Sequence, residues 1–235
     1  MSTPDQAPVI SLRDAFSFTF AQFKSHPGPL IGLAAIVTIL QFLSSVGSNS
    51  LANVLTACLN PQSPGQEMAC DVATSEATGP LLLSLVFAFA AIIATIGIQR
   101  AALEATIGIP PSFSALFNTR DLGKYVLFAI VSALLTGLGV LLCIVPGLIV
   151  YFLLQLGPYV VLDRSANVGE AIKVSARLVR SYLNAAVALM VIYVLGLLVG
   201  SLFMGIPTLV VLPFVTFLTA HVYRQMQRHQ LLQGQ

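Results

Sequence analysis

The chain has 235 residues, of which 57% are hydrophobic and only 9% are Asp, Glu, Lys or Arg, with a formal net charge of +2. Soluble domains carry about 25% charged residues, so this little charge cannot cover a water-exposed surface and a soluble fold is excluded. The small net charge and the absence of a basic tract leave no basis for binding nucleic acid, and the composition points to an integral membrane protein.

Residues 1–10 are polar or Pro-containing and lack a basic region ahead of an apolar core. They do not read as a secretory signal, and a disordered cytoplasmic N-terminus is expected there. Neither a myristoylation start nor a C-terminal lipidation box is present. A membrane span needs about 20 mainly apolar residues. The first candidate is 29–46 and the second is 81–98. The apolar stretch from Tyr125 to Leu162 is too long for one helix and is interrupted by Val145-Pro146-Gly147. Pro lacks a donor and Gly permits positive φ, so a turn is expected at 145–147, joining spans 125–145 and 148–162. The stretch from Leu183 to Val222 repeats the design around Met204-Gly205-Ile206-Pro207, with spans 183–203 and 208–222. The predicted fold is all-α: six transmembrane helices in three hairpins, forming one membrane domain over 11–229, with a cytoplasmic tail at 230–235. The fourth and sixth spans are short, and a re-entrant pair is the alternative to full crossing. With no Trp in the chain, Tyr125, Tyr151, Tyr159, Tyr182, Tyr193 and Tyr223 must form any aromatic belt.

Basic residues set the orientation. Arg13 and Lys24 precede span one, and Arg100, Arg120 and Lys124 lie between spans two and three. Arg164, Lys173, Arg177 and Arg180 lie between spans four and five, and Arg224 and Arg228 follow span six. These are all 11 Lys and Arg residues; six spans place every one on the same side. The positive-inside rule then makes both termini cytoplasmic.

Residues 163–183 form the most charged stretch of the chain. On a helix, Glu170, Lys173, Arg177 and Arg180 share one face, while Val168, Ala171, Ile172, Leu178, Val179 and Tyr182 share the other. This is an interfacial amphipathic helix, with Lys173, Arg177 and Arg180 toward water and anionic lipid. A solvated connecting helix packed on the bundle is the alternative, and both readings can hold together. Residues 14–25 align without gaps on 170–181: Asp14 with Glu170, Ala15 with Ala171, Thr19 with Ser175, Lys24 with Arg180. Ser11 and Asp14 resemble a capping box. A weaker third copy over 110–125 carries Phe113 and Phe117. Each copy precedes a hairpin, so three repeats of amphipathic helix plus hairpin are expected.

The only sizeable outer loop, 47–80, is polar and acidic, with short helical turns such as 50–59 admitted. Cys58 and Cys70 lie in it and are a candidate disulfide worth about 3 kcal/mol, with free thiols as the alternative. Two Cys without nearby His make a poor metal site, and no metal or cofactor is expected. Cys143 reads as a small buried hydrophobe in span three. No span carries an acidic or basic residue near its centre, which counts against ion-coupled transport and voltage sensing. Gln155, followed by Gly157 and Pro158, marks a candidate kink and small cavity. The alternative is that Gln41 and Gln155 hydrogen-bond across helices. Gly196 and Gly200 form a GxxxG in span five, suited to close helix packing within the chain or in a homodimer. No catalytic fingerprint is present. Glu104, Asp163 and Glu170 are candidate carboxylates for a cluster at the membrane face.

The turn Pro146-Gly147, the span ending near Asp163, and the helix with Ala171, Ser175, Arg177 and Arg180 form a bacterial membrane-protein pattern, joined by the N-terminal AFSFTFAQFKSHPGPL. Together they resemble the membrane domain of glycerophosphoryl diester phosphodiesterases and related multi-span proteins of unknown function, over about 15–229. The resemblance implies a six-span helical domain in a bacterial plasma membrane. It implies no activity, because catalysis in those enzymes belongs to a separate soluble barrel. The expected function is that of a non-enzymatic plasma-membrane protein that binds lipid or a protein partner and supports envelope organisation. A transporter or channel for a neutral or amphiphilic solute, and a membrane-embedded lipid-modifying enzyme, are the alternatives.

Overall fold

The computed structural model describes residues 10–59, 66–202 and 207–233, and the regular structure among them is helical throughout. In chain order these are α1 (Leu12–Ser25), α2 (Pro27–Leu59), α3 (Gln66–Ala105), a 3-10 helix (Phe113–Phe117), α4 (Leu122–Leu142), α5 (Ile144–Leu154), α6 (Gly157–Arg164), α7 (Val168–Ser181), α8 (Leu183–Leu202) and α9 (Thr208–Gln233). Among the described residues, six stretches are long and apolar enough to cross a membrane: Pro27–Ser45, Thr78–Ala105, Leu122–Leu142, Ile144–Arg164, Leu183–Gly200 and Thr208–Leu231. The protein is an all-α, multi-pass membrane protein with six transmembrane helices. The spans expected to be short, the fourth and sixth, reach 21 and 24 residues. Residues 1–9, 60–65, 203–206 and 234–235 lie outside the described residues. The expected N-terminal segment therefore does too, except for its last residue, as does the turn expected at Met204-Gly205-Ile206, and of the tail 230–233 continues α9.

The chain divides into two compact units, Met1–Ala34 with Ile96–Gln235, and Ala35–Thr95. The second unit comprises parts of α2 and α3. These helices are 33 and 40 residues long, well beyond a span, because most of the expected outer loop 47–80 is itself helical. Only 60–65 of that loop lies outside the described residues. Hydroxyls within this unit bond to carbonyls of their own helix, as in Ser44 to Gln41 O at 2.8 Å and Thr95 to Ala91 O at 2.8 Å. Such bonding satisfies a hydroxyl where no water is available.

In the larger unit, α4 packs on α5, α8 on α9, α1 on α9, and α7 on α4, α5 and α6. The α4–α5 hairpin turns on a single residue. Cys143 is extended (φ −172°, ψ 149°) and its N–H still donates to Gly139 O at 3.0 Å. The hinge therefore precedes the turn expected at 145–147, and Pro146 and Gly147 sit in the first turn of α5, where a missing N–H costs nothing. Gly147 serves close approach and not positive φ: a Cβ there would lie 2.6 Å from Val140 N, and one on Gly139 would lie 2.7 Å from Gly147 Cα. Cys143, expected to be buried, is exposed. It sits at a wholly apolar tip where Leu141 and Leu142 are 84% and 85% exposed, a surface suited to hydrocarbon.

The repeat of α1 and α7 extends to their ends. A constant offset superposes Leu12 on Val168 and Ser25 on Ser181, and α2 and α8 then begin at equivalent positions. Ala15 and Thr19 are fully buried, as are Ala171 and Ser175. His26 (φ −135°, ψ 55°) and Tyr182 (φ −125°, ψ 51°) close the two helices with the same backbone geometry and the same hydrogen bond to the fourth residue back. The third copy is not an amphipathic α-helix: residues 113–117 make only a 3-10 helix. The sequence there begins at Pro110-Pro111, which cannot supply the N–H groups of an α-helical turn beyond its start.

Candidate functional site

One end of the larger unit is a polar layer built from helix termini. Asp121 precedes α4 and Ser165 follows α6, and both adopt left-handed backbone (φ 60° and 51°). The Ser165 hydroxyl donates to Asp121 Oδ2 at 2.6 Å, Lys124 Nζ donates to Ser165 O at 2.7 Å, and Lys124 pairs with Asp121 Oδ1 at 3.3 Å. The Ser165 hydrogen bond is the main reason the Asp121 carboxyl is held below its ordinary pKa; Lys124 and Arg120 add to it, and partial burial opposes it. On α1, Ser11 caps Asp14 N at 3.2 Å, and its own N–H donates to Gln225 Oε1 of α9 at 2.9 Å.

Next to this clamp lies a cavity of about 120 Å³ lined by Arg100, Leu103, Glu104, Ile107, Leu162, Asp163 and Arg224. Arg224 Nη2 pairs with Asp163 Oδ1 at 2.7 Å, and Arg224 Nε donates to Thr106 Oγ1 at 3.2 Å. The other Asp163 oxygen accepts from the Tyr223 hydroxyl at 3.3 Å, and Tyr223 in turn accepts from Gln227 Nε2. Asp163 is thus neutralised and hydrogen-bonded. Arg100 is not: it is 7% exposed, and its Nε and Nη2 reach no acceptor. The ion pairs among the described residues do not include it.

Sequence reasoning ended span two at Ile98 and put Arg100 in a loop; α3 instead continues to Ala105. The available signal was the lack of Gly or Pro between Ile98 and Gly108, which leaves nothing to stop the helix. Likewise Arg224 and Arg228, placed after span six, belong to α9. Of the three candidate carboxylates, Glu104 and Asp163 line this cavity, and Glu170 stands exposed on α7.

The remaining expected sites, apart from the two cysteines of the smaller unit, are distributed through the larger unit. Lys173, Arg177 and Arg180 are exposed on α7, and the opposite face is buried through Ala171, Ser175, Leu178 and Val179. The Ser175 hydroxyl donates to Leu153 O at 2.7 Å. That carbonyl stands beside the break between α5 and α6, where Pro158 lacks a donor. Gln155 Nε2 donates to Ala186 O of α8 at 3.3 Å, a hydrogen bond across helices. Beside Gly157, where a small cavity was considered, the Phe128 ring fills the space: a Cβ on Gly157 would lie 2.0 Å from Phe128 Cζ. Gly196 and Gly200 meet α9, with Cβ positions 2.4 Å from Val211 Cγ1 and 2.7 Å from Thr208 Oγ1, so this face of α8 is taken up within the chain. Cys58 is disulfide-bonded, and the side chain of Cys70, its expected partner, lies outside the described residues.

No family model matches the chain, and no solved structure matches it. It is similar to uncharacterised proteins of Mycobacterium bovis and Mycobacterium tuberculosis, at 25% identity over 97% of this chain and 72% of the relative, with a second M. tuberculosis protein at 24% identity over the same shares.

Proposed function

We propose that this is a non-enzymatic, multi-pass protein of a bacterial plasma membrane, with both termini cytoplasmic, that associates with anionic lipid through the basic face of α7 and contributes to envelope organisation. The exposure of Lys173, Arg177 and Arg180 on a helix anchored by its other face carries this reading. An amphipathic helix fixed by Ala171, Ser175 and Leu178 cannot rotate its cations away, so they stay at the level where lipid phosphates stand. The basic residues clustered by chain order on one side, and the resemblance to the phosphodiesterase membrane domain, support the same orientation and residence. The protein reconstituted in nanodiscs of mixed neutral and anionic lipid tests it. Native mass spectrometry of the co-purified lipid is expected to show anionic enrichment, reduced several-fold in K173Q/R177Q/R180Q. Equal enrichment in the two proteins would refute the proposal.

A further inference from the structure

We propose that the cavity between α3, α6 and α9 binds the phosphate group of a membrane phospholipid, with Arg100 as its principal ligand. Arg100 is 7% exposed, and two of its guanidinium donors have no acceptor. A guanidinium does not lose its charge at physiological pH. Asp121 and Glu104 attract this cation without pairing with it; burying guanidinium donors without acceptors is unfavourable, whereas donors arranged in a planar fork match a phosphate oxygen pair. The nearby Asp163 does not supply the missing acceptor: it pairs with Arg224 and accepts from Tyr223, and no ion pair among the described residues includes Arg100. The cavity's 120 Å³ is the room of about four waters, enough for a phosphate. Leu103, Ile107 and Leu162 supply apolar walls, and Ile107 is 60% exposed, so an acyl chain can leave the phosphate along an apolar edge. The site lies in the layer where α3 and α6 end, which is headgroup depth. Glu104 also lines the cavity and opposes an anion, which makes it an internal gauge of the electrostatics. These residues are separate from the basic face of α7, and the proposal does not rest on that reading.

The test uses the full chain in detergent, delipidated and titrated with phosphatidylglycerol, with diacylglycerol as a phosphate-free control and inorganic phosphate as a separate arm, read by native mass spectrometry and thermal shift. The tightest phosphatidylglycerol site is expected to weaken about tenfold or more in R100Q. It should tighten severalfold in E104Q and stay unchanged in K173Q/R177Q/R180Q. Stronger Arg100-dependent binding of inorganic phosphate than of phosphatidylglycerol would overturn the lipid as the source. Unchanged binding in R100Q, or binding of diacylglycerol equal to phosphatidylglycerol, would overturn the site itself. If R100Q does not fold, E104Q alone decides: affinity that fails to rise overturns the proposal.

Discussion

The α4–α5 hairpin depends on backbone contact at Gly147, and Gly147→Ala measures it. The added Cβ would lie 2.6 Å from Val140 N and 2.9 Å from Val140 Cα, against an ordinary contact that begins at 3.4 Å. Two of these atoms are backbone, so no side-chain rotation relieves the clash and the helices must part by roughly 1 Å, enough to forfeit a quarter to a half of the van der Waals attraction of atoms across the seam. Overpacking of this kind costs about 1–3 kcal/mol, and in a bilayer, where apolar burial does not drive helix association, packing contributes a large share of the hairpin's stability. Gly137→Ala is the control: ten residues earlier in the same hairpin, on α4, its Cβ meets nothing within 4 Å, and the higher helix propensity of Ala makes it neutral or slightly stabilising. Thermal unfolding in a mild detergent, followed by circular dichroism, should show G147A melting several degrees below wild type and G137A at or above it. Equal melting of the two variants would falsify the close-packed hinge.

Two further outcomes follow from the same geometry. Cys143 sits at a tip with no polar residue from Gly137 to Val150, so in a variant lacking Cys58 and Cys70 it should react with a membrane-permeant maleimide about tenfold faster than with an impermeant one; equal rates would place the tip in water. Asp121, held below its ordinary pKa by Ser165 and Lys124, contributes stability that is present above about pH 4, the unfolded value, and is lost as pH falls through the lower folded value. Asn tolerates the left-handed backbone, so D121N should melt lower than wild type near neutral pH, with the gap closing on acidification below about pH 4; a gap that persists in acid would exclude the charge as its cause.

Six spans, the helical class and the two matched amphipathic helices were legible in the residues alone. Each follows from terms that add along the chain: the transfer of apolar side chains, the reluctance of Lys and Arg to cross, and the helical period that puts Lys173, Arg177 and Arg180 on one face. The repeat was legible because Ala15/Ala171 and Thr19/Ser175 are buried identically, so one packing constraint selected both pairs. What the residues could not disclose depends on groups far apart in sequence. The hinge settled at Cys143 and not at Pro146-Gly147 because Gly139 and Gly147 allow the two backbones to touch. Phe128 closed the space beside Gly157 in the same way. Arg100 looked like one more loop cation until α3, α6 and α9 came together around it and left two of its guanidinium donors buried without an acceptor. Hydropathy is a property of single residues in a layered solvent, so the sequence determines it. Contact and charge complementarity are properties of pairs, and only the tertiary structure decides which pairs meet.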